Sequence, residues 1–120
     1  MNLTLLPDTF AIVRMSPDEQ WKGEFFSITK TPEETSVVCR EQLVRAGMHA
    51  DRGWQCLKID GPLPLKTVGV MADVSTTLAR AGVSIFPIAT YATDYIFIKG
   101  DKVAAASDAL RSAGHTVRRA

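Results

Sequence analysis

Only two cysteines, Cys39 and Cys56, occur in the 120 residues. Neither belongs to a CxxC pair or stands at metal-ligand spacing from a histidine, so neither a disulfide scaffold nor a zinc module organises the chain. Both lie in apolar, strand-like surroundings. They read as buried free thiols of a reducing cytoplasm, with a disulfide or a reactive thiol as the alternative. Charge of one sign is also missing: the net charge is +1, with acids and bases interspersed. No basic stripe marks a nucleic-acid partner and no Lys/Arg run marks a membrane surface. No apolar stretch nears the roughly 20 residues that span a bilayer. The opening MNLTLLPDTF lacks a basic leader, and Pro7-Asp8 breaks its short apolar run, so it is not expected to be a signal peptide.

Groups that carry catalysis are scarce as well. Gly61, Gly69 and Gly82 lack the spacing of a phosphate-binding loop, and no nucleophile elbow or HExxH pattern occurs. The two histidines, His49 and His115, each follow a glycine that ends a helical pattern. His115 reads better as a cation near a helix C-terminus than as a general base. No catalytic residue, metal or cofactor is expected.

What is present is a globular composition, 46% hydrophobic and 22% charged, enough to fold without staples. The stretch GVSIFPIATYATDYIFIK, Gly82 to Lys99, organises the rest. Two runs rich in Ile, Phe and Tyr flank Ala92-Thr93-Asp94, a hairpin signal, and Tyr95–Ile98 is apolar on both faces, as a central strand should be. Before it, Val70, Met71, Val74, Leu78 and Ala81 form one helical stripe closed by Gly82. After it, Val103, Ala106, Leu110 and Ala113 form a second, closed by Gly114. Helix, hairpin, helix around one sheet predicts an α/β (α+β) ferredoxin-like βαββαβ unit.

The first half is less regular. Phe10–Val13 reads as a strand, Ser16-Pro17-Asp18-Glu19 as a helix start, and Phe25–Lys30 with Thr35–Cys39 as a hairpin. Glu41–Ala46 is a short helix candidate, Asp51-Arg52-Gly53 a loop and Trp54–Asp60 a strand, before Gly61-Pro62-Leu63-Pro64 breaks the pattern. Hairpin, helix and Ala-Gly recur in both halves. Two degenerate copies of one unit would explain the echo, and so would chance.

Asp60-Gly61 ends a strand and leads toward the helix that opens at Gly69, whose free N–H groups suit a carboxylate. Gly82-Val83-Ser84-Ile85 brings backbone close to any ligand at the next strand. Asp94 either accepts an ammonium or bonds its own turn, and Asp60 either serves a ligand or caps its strand.

The phrases AGVSIFPIATYATDYIFIK, FFSITKTPEETSVVC, GWQCLKIDGPL and LPDTFAIVRM resemble a group of small bacterial ACT proteins with two ACT-like units in tandem. They are also similar to the ACT repeats of cytosolic arginine sensors and, more distantly, to the regulatory ACT domains of aspartate kinases. The resemblance implies two halves sharing an antiparallel sheet with helices on one face. Residues 1–61 would be a degenerate N-terminal half and 54–120 a C-terminal ACT domain, with strand 54–60 shared. It also implies a non-catalytic regulatory protein that binds a free amino acid or similar small molecule. The implied ligand residues are Asp60, Gly61, Gly69, Gly82, Val83, Ser84, Ile85, Phe86, Thr90 and Asp94. A homodimer is expected, without nucleic acid or membrane partners, in the cytoplasm. An interaction module that has lost its ligand is the alternative.

Overall fold

The computed structural model describes residues 1–61 and 68–120. The expected break at Pro62–Pro64 lies outside the described residues. The described residues form eight strands and two α-helices: β1 (Asn2–Leu5), β2 (Phe10–Met15), β3 (Ser27–Lys30), β4 (Thr35–Arg40), β5 (His49–Ile59), α1 (Val70–Arg80), β6 (Phe86–Ala89), β7 (Asp94–Lys99), α2 (Val103–Ser112) and β8 (Thr116–Arg119). The chain divides into two compact units, Asp8–Trp54 and Met1–Pro7 with Gln55–Ala120.

In the second of these, the strands run in the order β8-β1-β5-β7-β6. Residues with period two on the strands and period four on the helices meet in one core. Leu3 and Leu5, Leu57 and Ile59, and Ile96 and Ile98 face Val74 and Leu78 of α1 and Ala106 and Leu110 of α2. Ile96, Phe97 and Ile98 are all fully buried, as a central strand requires. The helix-hairpin-helix order expected of a ferredoxin-like unit is present. An additional strand has entered it: β1 lies between β5 and β8, antiparallel to the first (Leu3 opposite Ile59) and parallel to the second (Leu3 opposite Val117).

The unit Asp8–Trp54 has the order β3-β4-β2-β5, with every pairing antiparallel. Two expectations fail here. The helix start at Ser16 is only a turn, in which Glu19 donates its amide to the Ser16 carbonyl at 3.2 Å and accepts the Ser16 amide on Oε1 at 3.0 Å. The residues that follow, Gln20-Trp21-Lys22-Gly23, hold one apolar side chain and no stripe to bury, so extending the turn would not offset nucleation. Glu41–Ala46 likewise gives one 3-10 turn, Glu41–Leu43. In place of helices, Trp21, Leu43, Val44 and Met48 cover Val13, Val37 and Cys39. Arg45 stacks on Trp21 with its guanidinium 5.1 Å from the ring centre.

The third correction concerns Asp51-Arg52-Gly53, which is not a loop but part of β5. Phe10 is opposite Trp54 and Ile12 opposite Asp51, so two residues of β5 oppose Ala11 alone. This is a β-bulge, and Gly53 at φ +80° supplies the left-handed residue it needs.

The sequence echo has a geometric counterpart. Thr31 and Thr90 stand 59 residues apart and close their hairpins identically. Each donates its amide to a carbonyl three residues on, at 2.9 Å, and takes that residue's amide on its hydroxyl. Nine residues later, Arg40 (φ −59°, ψ 136°) and Lys99 (φ −58°, ψ 139°) each lead into a 3-10 turn. Only the second turn grows into a helix.

Candidate functional site

The expected ligand residues fall into two groups, set apart by α1. With 11 residues at 1.5 Å each, that helix is about 16 Å long, so Gly69 at its start and Gly82 after its end belong to opposite ends of the sheet.

At one end stands the terminus of β5. Asp60 is half-buried and engaged. Its amide donates to the Asn2 carbonyl at 2.8 Å, its Oδ1 accepts the Thr4 hydroxyl at 2.7 Å, and its Oδ2 lies 3.4 Å from Arg118 Nη2. The hairpin turn comes to the same place through Thr93, a residue the sequence did not single out. Buried at 4% exposure, it donates its hydroxyl to the Ile59 carbonyl at 2.6 Å. That bond holds the residue before Asp94 against the residue before Asp60. Asp94 opens β7 as a half-buried residue opposite Ala89. Thr90 is committed to the turn, its hydroxyl donating to the Thr93 carbonyl at 2.8 Å. Gly61 is exposed. Gly69, at φ +87°, precedes α1, and among the described residues no side chain caps that helix.

At the other end, the amides of Gly82 and Val83 are taken by the Ala79 and Leu78 carbonyls, at 3.0 Å each, which closes α1. Val83 is buried and Ile85 packs partly on the same core. Ser84 is exposed. Phe86 is opposite Phe97, with ring centres 6.3 Å apart at 71°. The structure therefore gathers Asp60, Gly61, Thr90 and Asp94 with the start of α1, and leaves Gly82–Phe86 apart from them.

His115 stands at the C-terminal end of α2, as expected. It is buried at 7% exposure, with Nδ1 3.0 Å from the Met1 amine and Nε2 3.4 Å from Asp73 Oδ2. Its amide still closes α2 by donating to the Leu110 carbonyl. Both cysteines are free and buried. Burial pushes the Cys56 thiol up to about 12, and raises Cys39 against a smaller opposing pull from Arg45. Both thiols are thus protonated, poor nucleophiles at neutral pH. Among the described residues, no cluster of His, Cys, Asp and Glu could hold a metal ion, and no helix is long and apolar enough to cross a membrane.

A strand end, an opposing hairpin and an uncapped helix start, all within a βαββαβ frame, define a small α/β module with polar groups gathered at one end of its sheet. The profile of the ACT domain family matches residues 49–112, and that of a separate N-terminal domain matches residues 8–46. The chain belongs to the ACT domain family. Solved structures agree on the fold. A protein from Agobacterium tumefaciens is 29% identical at a TM-score of 0.91, over 99% of this chain and 92% of that one. A Vibrio cholerae protein of unknown function, a possible transport protein, is 22% identical at 0.76, over 92% and 88%. The regulatory subunit of aspartate kinase from Thermus thermophilus is 14% identical at 0.67, over 93% and 96%.

Proposed function

We propose that this chain is a non-catalytic regulatory protein that binds a free amino acid at the end of β5. The observation that carries the reading is the Thr93–Ile59 hydrogen bond, which brings the Asp94 hairpin beside the strand end bearing Asp60. Asp94 is the acceptor for the ammonium, and the uncapped start of α1 offers amides to the carboxylate. Membership of the ACT family and likeness to an aspartate kinase regulatory subunit support this role. The site is completed in a homodimer. Strand β6 pairs only with β7 among the described strands, and its Phe86 and Ile88 make an apolar edge suited to a second copy. Two free buried thiols suit a reducing cytoplasm.

A second reading, an interaction module without a ligand, draws support from Asp60, both of whose carboxylate oxygens already have protein partners. A thermal-shift screen against the twenty amino acids separates the two. One amino acid at about 100 times its Kd stabilises the fold by roughly 2.7 kcal/mol. Asp94→Ala removes that shift and leaves the unliganded melting temperature nearly unchanged. No response to any amino acid, from a protein that is dimeric in solution, favours the interaction module.

A further inference from the structure

We propose that the groove between α2 and β8 binds a small, multiply charged oxyanion, at a place separate from the amino-acid site. The groove encloses about 390 Å³, within the range of small-molecule sites. One wall is a stripe of α2 that includes Val103, Ser107 and Arg111, spaced four residues apart on one helical face. The other is Val117–Arg119 of β8, which pairs only with β1 among the described strands.

Charge sets the ligand class. The Arg111 and Arg119 side chains line the groove against one carboxylate, Asp108. Over the whole chain, 14 basic residues and 13 acidic residues nearly cancel, so this positive charge is local. Arg111 is already fixed across the opening. Its Nη2 donates to the Val117 carbonyl at 3.0 Å and its Nη1 lies 3.9 Å from Asp108 Oδ1. A guanidinium has five N–H donors, so one anchored in this way still offers donors to a ligand and loses little freedom on binding. Arg118 contributes only backbone to the lining, because its guanidinium meets Asp60 at 3.4 Å on the face of the sheet away from α2. Leu5 and Val117 add apolar lining, and Ser107, nearly buried, adds a hydroxyl. Two guanidiniums and a hydroxyl match a phosphate or a polycarboxylate. A plain amino acid would find only Asp108 for its ammonium.

The test titrates the full chain with inorganic pyrophosphate and, separately, with citrate. Sodium chloride holds ionic strength constant, and calorimetry and amide NMR report binding. Saturable one-to-one binding of either anion is expected, with shifts concentrated at Ser107–Arg111 and Val117–Arg119. The two arms separate phosphate from carboxylate chemistry. Arg119→Ala should weaken binding at least tenfold, and Arg111→Ala with Arg119→Ala should abolish it, while any amino-acid thermal shift persists. Three results overturn the proposal: neither anion saturates, the double variant binds like the native protein, or the shifts gather around Asp60 and Asp94 instead. Each is read independently of whether an amino acid binds.

Discussion

Replacing Thr93 with valine tests the bond on which the site depends. The two side chains are nearly equal in shape, and both suit a strand end, so the change removes one hydroxyl and little else. The lost bond is short, at 2.6 Å, and its donor side is buried. Its removal leaves the Ile59 carbonyl without this partner in a site closed to water. An orphaned acceptor of this kind costs about 1–3 kcal/mol, well above the net worth of an average hydrogen bond. With a middle value of about 2 kcal/mol and roughly 4 °C per kcal/mol for a chain of this size, the melting temperature should fall by about 8 °C. Thr93→Ser keeps the donor and loses a methyl, so it should cost about half as much. Thr29→Val, the same chemical change at an exposed position of β3, should stay within about 0.5 kcal/mol of the native protein. Urea denaturation followed by circular dichroism measures all three. If Thr93→Val matched Thr29→Val, the hairpin would not be tied to β5 in the way described, and the site would lose its support. If Thr93→Ser cost more than Thr93→Val, packing rather than the hydroxyl would be the cause.

Other outcomes follow from the thiols and the left-handed glycines. Cys56 titrates near 12 in the folded chain and near 9.0 when unfolded, so the neutral thiol favours the fold. Its contribution is whole below about pH 9 and is lost as pH rises from 9 toward 12. Urea midpoints measured from pH 8 to 10.5 should therefore fall, and Cys56→Ala should flatten the slope. A thiol-specific chromogenic reagent should find neither cysteine in the native protein and both in denaturant; rapid labelling without denaturant would contradict their burial. Gly82→Ala should cost about 1 kcal/mol, because an added Cβ would meet nothing within 4 Å and only the φ of +73° resists it. A loss above 3 kcal/mol in the same denaturation assay would mean that sterics had been missed.

The sequence was legible where the local pattern carries the structure. Val74 and Leu78, or Ala106 and Leu110, repeat at helical spacing and are buried on schedule. Ile96–Ile98 is apolar throughout because both of its faces are covered. It was illegible where the deciding partner is far along the chain. Ser16–Glu19 carries the local marks of a helix start, but no stripe follows to repay the nucleus. Asp51–Gly53 has the composition of a loop and is held in a strand by β2. Within the candidate site, Asp60 and Asp94 could be named from turn and strand-end chemistry. Thr4, Thr93 and Arg118 could not, since each meets its partner across 34 to 58 residues. The split between Gly69 and Gly82 was in principle readable, because a helix of known length stands between them.

The position of β1 has a consequence for how the protein is made. Residues 2–5 leave the ribosome before the strands they pair with, residues 57–59 and 116–119. The backbone edge of β1 that faces β8 must wait until residues 116–119 have been made. The hairpins β3–β4 and β6–β7 close within a few residues and can form as they emerge. Pairings so distant in sequence slow folding, because the loop must be closed before its contacts repay it. Strand β1 is thus among the last to settle, and a nascent chain stalled before Thr116 would leave β1 as an edge strand, paired with β5 alone among the described strands.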